Sequence, residues 1–459
     1  MKIAHRPIVG TPKLTQDWGD HQHERETHWT SLFYDLLLVA ALNALAEPYE
    51  EFEDGKLVPI KHLWLESLLK FMAVIVPWNA LNEWTSMFET ESLAGHIYFF
   101  VHCFGIAATT QACVGDLSQN FRELATGMVL TRVGLIILWA RPMVYLPRVR
   151  VHGFWRCVGQ VLTIVLVSWG ATFTGEDAYE RFLKVLMVAM VAEILSMFSG
   201  AILDQKHRVP MHIMGFSDRV KESTMVIFGE AIFAIVLKPI HDDASDGSHL
   251  NYYEALLGTL WLIYSMALQE FHLHPEEEHH ALRRSVVFGA LWINTNVLKQ
   301  IFLLGLSIGI KRIHLLTFAA PKNVVDAATI DLLVWGFSLT MLTVLLIRSY
   351  SFGFGRHPAP TDPAPLYWGK VTWWGILILS CWLPQIFKHT LMTHSLFQTP
   401  LNIVILFGAM MTGIILMEGV ISNMVAAISI RVLQSPSSSK DDEEAVHSEA
   451  THLLVGELD

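Results

Sequence analysis

Residues 401–430 read LNIVILFGAMMTGIILMEGVISNMVAAISI, thirty consecutive positions that carry one charge, Glu418. Crossing about 30 Å of hydrocarbon at 1.5 Å per residue takes roughly 20 apolar residues, so this run is long enough to span a bilayer as a helix. In lipid every backbone amide must bond within its own segment, which leaves helices and closed barrels. Nothing in the run alternates as a barrel strand would.

Working outward, comparable runs lie near 31–47, 63–86, 93–114, 124–146, 154–173, 182–203, 219–238, 252–271, 285–310, 328–347 and 371–390. The expected fold is therefore all-α and polytopic, with about twelve transmembrane helices. Composition agrees: the 459 residues are 52% hydrophobic and 16% charged, with mean hydropathy +0.40, outside the range of soluble domains. The net charge of −11 provides no basic face for phosphate, which argues against a nucleic-acid partner. Cys103, Cys113, Cys157 and Cys381 all fall in apolar runs without CxxC spacing, so free thiols are expected.

The chain divides into a polar segment 1–30, two blocks at 31–203 and 204–430, and a Ser-rich then acidic tail, 431–459. Residues 1–30 lack an apolar core or cleavage site, so the first span is expected to act as an uncleaved anchor. Residues 351–370 are dense in Pro and Gly and read as a linker within the second block. The N-terminus, the even-to-odd loops and the C-terminus hold nearly twice as many Lys and Arg as the opposite loops. Both termini are thus expected to face the cytosol.

The two blocks share landmarks. Phe33-Tyr34-Asp35 opens span one and Glu47 follows the Asp by twelve residues; Phe216-Ser217-Asp218 opens span seven and Glu230 again follows by twelve. Ala80-Leu81-Asn82-Glu83-Trp84 in span two answers Ala267-Leu268-Gln269-Glu270-Phe271 in span eight, and Glu193 answers Glu418 more weakly. Six spans per block would make two parallel repeats about an axis along the membrane normal. That arrangement places Asp35, Glu83, Asp218 and Glu270 at the cytosolic ends of their helices.

These residues also carry a resemblance. WTSLFYDLLLVAAL, with Trp29, Phe33 and Asp35, and MHIMGFSDRVKESTMVIFGEAIFAI, with His212, Arg219, Gly229 and Glu230, resemble the two landmarks of the low temperature requirement protein A family over roughly residues 28–430. Ser31, Asp218 and Phe228 depart from the family pattern. The resemblance implies a multi-pass membrane fold; the family's molecular activity is not established. FSD at the head of a six-helix unit also resembles a lysosomal potassium-channel family, on three residues.

Ionisable side chains inside spans are costly, roughly 2.5–3.5 kcal/mol each at the helix centre, and mark pathways or partners. Arg132, Glu193, Lys299 and Glu418 lie deepest; Asp35, Glu83, Glu230 and Glu270 lie nearer an edge. One expectation is a translocation path in which Glu193 and Glu418 bind and release a proton or cation against Arg132 or Lys299. The other is structural, with Arg132 and Lys299 each locking a carboxylate, and Asp35 or Asp218 capping its helix. Asn79, Asn82, Asn294, Thr295, Asn296 and Gln300 would line a cavity or bond between helices, and Gly305 and Gly309 form a GxxxG contact step.

His272, His274, His279 and His280, or His21, His23 and His28, have metal-ligand chemistry, but loops rich in His and Glu are usually solvated. No resident metal or cofactor is expected. No GxSxG, HExxH or P-loop pattern occurs, so an enzyme is not expected, a lipid-modifying membrane enzyme being what remains of that class. The sequence points to a secondary transporter or channel-like protein for a small ion or solute, with the bilayer as its partner. A non-transporting assembly or scaffold protein is the alternative.

Overall fold

The computed structural model describes residues 11–15, 29–46, 52–53, 56–57, 63–89, 92–114, 117–198, 203, 207–237, 248–271, 281–282, 285–319, 325–351, 364–393 and 399–433. Most of the N-terminal segment 1–30, Glu47, the His-rich loops and the tail beyond 433 lie outside them.

Twelve long helices occur among the described residues. They are α1 (Trp29–Ala46), α2 (Leu63–Met87), α3 (Leu93–Cys113), α4 (Leu117–Tyr145), α5 (Arg150–Ala171) and α6 (Ala178–Met197), then α7 (Ile213–Leu237), α8 (Ser248–Phe271), α9 (Val286–Ala319), α10 (Ala327–Ser351), α11 (Ala364–Thr393) and α12 (Pro400–Leu433). Two short ladders accompany them, Lys13–Leu14 with Phe88–Glu89 and Phe52–Glu53 with Lys56–Leu57, both antiparallel. Among the described residues, seven helical segments are long and apolar enough to cross a membrane: α1, α3, α4, α5 with its leading turn, α9, α10 and α12. Among the others, α2, α6 and α7 carry the acids Glu83, Glu193 and Glu230.

Their outward faces are as apolar as their inward ones. Leu36, Phe100, Val165, Leu195, Leu257 and Leu416 are exposed, while Leu38, Val74, Leu186, Leu306, Leu333 and Phe407 are buried. Helices that are apolar all round suit lipid outside and a packed core inside.

Local chemistry sets the helix ends. Ser92 caps α3, its hydroxyl accepting from the Gly95 N–H at 3.3 Å. It also accepts from Arg141 Nη2 of α4 at 3.0 Å. Ser92→Ala is expected to cost about 1 kcal/mol, read as a lower unfolding temperature in detergent. Gly175, just before α6, has φ of 95°, a conformation open to glycine at little cost. Helix α11 starts at Ala364, so the linker expected over 351–370 ends earlier, its remainder 352–363 lying outside the described residues; Pro365 is tolerated because a first-turn residue has no N–H obligation.

Helices pack in a recurring order. α3 packs on α4, α4 on α5, α5 on α6, and α2 on α6; likewise α9 packs on α10, α10 on α11, α11 on α12, and α8 on α12. α1 packs on α3 as α7 packs on α9, and the two sets meet where α1 touches α7 and α2 touches α7 and α9. Gly309 and Gly336 let α9 and α10 approach: an added Cβ would lie 3.2 Å from Leu333 N and 2.8 Å from Leu306 N. Of the expected GxxxG step, Gly309 thus faces its neighbouring helix, whereas Gly305 lines an open cleft.

Candidate functional site

Pro77 sits inside α2 and has no N–H for the carbonyl four residues earlier, Ala73. That freed carbonyl accepts from Arg132 Nη1 of α4 at 3.3 Å. Arg132 also donates through Nε and Nη2 to Glu193 Oε2 of α6, at 3.2 and 2.9 Å. Both side chains are 0% exposed. The proline therefore frees the second acceptor, beside Glu193 Oε2, of a dry ion pair linking α2, α4 and α6.

The other expected acids also have cationic partners. Asp35 of α1 pairs with Arg219 of α7, with one contact at 2.7 Å. Glu83 of α2 pairs with Arg156 of α5, and Glu230 of α7 with Lys311 of α9. Glu270 of α8 pairs with Lys299 of α9, and Glu418 of α12 with Arg348 of α10 at 2.6 Å. Asp35, Glu83, Glu193, Glu230 and Glu418 are buried, and Glu270 is half-buried. Two expectations change. Glu418 takes Arg348 rather than Lys299 as its counter-charge, and Lys299 holds Glu270. Asp35 and Asp218 are not caps, because α1 and α7 begin six and five residues before them. The cap of α7 is His212, whose Nδ1 accepts from Gly215 N–H at 3.0 Å.

Several of these pairs join into one polar belt. Arg156 Nη1 reaches Ser196 O of α6 at 3.4 Å and binds Glu83. The residue before Glu83, Asn82, accepts from Arg219 Nη2 at 3.4 Å. One turn further along α7, Ser223 accepts from Gln300, and the residue before Gln300, Lys299, binds Glu270. The residue before Glu270, Gln269, donates to Glu418 through Nε2, and its carbonyl accepts from Arg348 at 3.2 Å. The two Asn/Gln-Glu steps that recur in the sequence thus do the same job: the amide faces one neighbouring helix and the acid another.

Arg219 is the junction of the belt. It donates to Asp35, to Glu222 Oε2 at 2.7 Å, to Ser31 O at 3.3 Å and to Asn82 Oδ1. Its guanidinium also lies 5.9 Å from the Trp78 ring centre, at cation–π range. Among the ion pairs of the described residues, Asp35–Arg219 joins α1 to α7, the first helices of the two sets, while the others named above stay within one set. Its side chains keep 11% and 13% exposure, and Glu222 keeps 39%, whereas Arg132 and Glu193 keep none.

Beside Asp35, Tyr34 O–H lies 2.7 Å from His102 Nε2, and His102 Nδ1 lies 3.1 Å from Thr131 O. A carbonyl only accepts, so Nδ1 carries the proton and Nε2 accepts from the tyrosine. Trp29 stacks on His96 at 5.6 Å, Phe33 is exposed, and a Cβ on Gly229 would touch nothing within 4 Å. Half of the expected polar cluster bonds its own helices, Asn79 to Ile75 O, Asn294 to Ala290 O and Asn296 to Trp292 O, at 2.8–3.0 Å, whereas Asn82 and Gln300 bond across helices.

Sequence reasoning left out four cations as partners. Lys311 and Arg348 fall one residue beyond the apolar runs expected to end at 310 and 347, Arg156 reads as part of a basic loop run, and Arg219 reads as a capping neighbour. The available signal was arithmetic: six acids inside the spans against the two deep cations Arg132 and Lys299 is an imbalance that lipid does not tolerate.

The family model described as bacterial low temperature requirement A protein (LtrA) matches residues 27–430 of the chain. No curated protein and no solved structure matches it.

Proposed function

This chain belongs to the low temperature requirement A family and is an integral membrane protein, and on that premise we propose that it is a secondary transporter or channel-like protein for a small ion or solute. In this reading it is built as two parallel six-helix repeats, α1–α6 and α7–α12, with both termini in the cytosol. The recurring packing order and the paired Asn82-Glu83 and Gln269-Glu270 steps support the repeats. Transporter folds of this kind place ion and substrate groups where the repeats meet.

The observation that carries the reading is the Asp35–Arg219 pair between α1 and α7. Arg219 already touches a second carboxylate, Glu222, on its own helix. A proton or cation that neutralises Asp35 leaves Arg219 held by Glu222, which removes an ionic tie between the repeats without stranding the guanidinium. That is a two-state element biased by ion binding. Glu193 and Glu418, each held by an arginine in a buried site, serve here as fixed posts around it.

The test is ion and proton flux in liposomes. Wild type is expected to conduct, Asp35→Asn to lose ion-dependent flux, and the exchange Asp35→Arg with Arg219→Asp to recover part of it. Glu193→Gln and Glu418→Gln are expected to lower folded yield rather than alter selectivity. Absence of flux in wild type under every gradient sinks the proposal. The second reading, an assembly or scaffold protein, draws on the dry Arg132–Glu193 lock, and it expects that absence together with unchanged folding of Asp35→Asn.

A further inference from the structure

A cleft of about 590 Å³ opens between α2 of the first set and α9 and α10 of the second. Its walls include Phe71, Phe302, Gly305 and Trp335, and its polar lining residues are Ser67 and Asp331. These two lie near the N-terminal ends of α2 and α10, so the polar groups share one mouth while the rest is hydrocarbon. From Asp331 to Leu339 the cleft follows α10 for eight residues, about 12 Å at 1.5 Å per residue. That depth is close to one leaflet of a bilayer with a hydrocarbon core about 30 Å thick.

A void of this size between helices forfeits dispersion contacts on every wall, and walls so poor in polar partners do not hold ordered water. The medium around the helices is acyl chain, and an elongated slot parallel to the helix axes suits a flexible chain. At the polar mouth, Lys388 of α11 pairs with Asp331, with side chains 30% and 39% exposed. An ammonium and a carboxylate at the surface complement the phosphate and the amine of a lipid headgroup.

We propose that this cleft holds one acyl chain of a glycerophospholipid, with its headgroup at Ser67, Asp331 and Lys388, as a wedge between the two sets of helices. Such a lipid would occupy the cleft whether or not the protein transports anything.

The experiment is photolabelling of the purified full-length protein in nanodiscs that contain phosphatidylethanolamine with a diazirine on its acyl chain, mapped by peptide mass spectrometry. Label is expected to concentrate on 67–71, 301–308 and 332–339. Gly305→Leu and, from another helix, Leu339→Trp fill the slot and are expected to lower that label several-fold. Lys388→Glu leaves the slot open and is expected to lower it less. Label spread evenly over exposed apolar positions such as Leu36 and Val165, label unchanged in both slot-filling variants, or preferential capture of a diazirine sterol would each overturn the proposal.

Discussion

Arg132→Leu is expected to destabilise the protein by about 3–5 kcal/mol, because it strands a carboxylate that has no exposure to water. Glu193 would lose both of its N–H donors, and the Ala73 carbonyl freed by Pro77 would lose its donor as well. The double variant Arg132→Leu with Glu193→Leu removes both charges and is expected to recover most of the loss, since apolar replacement of a buried pair is often neutral or stabilising by about 1–4 kcal/mol. Thermal unfolding in detergent, followed by aggregation or tryptophan emission, reads both. An additive double variant would mean that the two side chains do not depend on each other.

Gly127→Ala is expected to be comparably severe for a steric reason. In α3–α4 packing, a Cβ on Gly127 would lie 2.5 Å from Thr109 N and 2.8 Å from Thr109 Cα, both backbone. One on Gly134 would lie 2.9 Å from His102 Cα. Overpacking usually costs about 1–3 kcal/mol, and a clash with helix backbone, which cannot rotate aside, belongs at the upper end. The shift would also move Thr131 and Arg132 away from His102 and Glu193, so the effect reaches the ion-pair network. Gly413→Ala is the control: nothing lies within 4 Å of its added Cβ, and alanine in an open helix position is neutral or stabilising by about 0.4–1 kcal/mol. Equal unfolding temperatures for the two variants would contradict the contact.

The helices themselves were legible. A run such as 401–430 has few alternatives in lipid, and helix α12 covers it from Pro400 to Leu433. The acids of the belt were legible too, because each interrupts an apolar stretch. Their cations were harder to see. Lys311 and Arg348 end apolar runs, and a hydropathy reading stops at such residues although their helices continue to Ala319 and Ser351. A lysine at the edge of a run reads as a snorkelling or loop residue until a neighbouring helix brings an acid to it.

What the sequence determines alone is therefore one-dimensional: a membrane-spanning all-helical chain, the positions of its apolar segments, its buried acids and the recurrence of Asn82-Glu83 as Gln269-Glu270. Tertiary structure decides the pairing. Whether Glu418 meets Lys299 or Arg348 depends on which helices touch and how each is turned about its axis, and that is set by close packing such as that at Gly309 and Gly336 between α9 and α10 rather than by hydropathy. A charge in lipid must find an opposite charge or water, but only the packed helices settle which one is within reach.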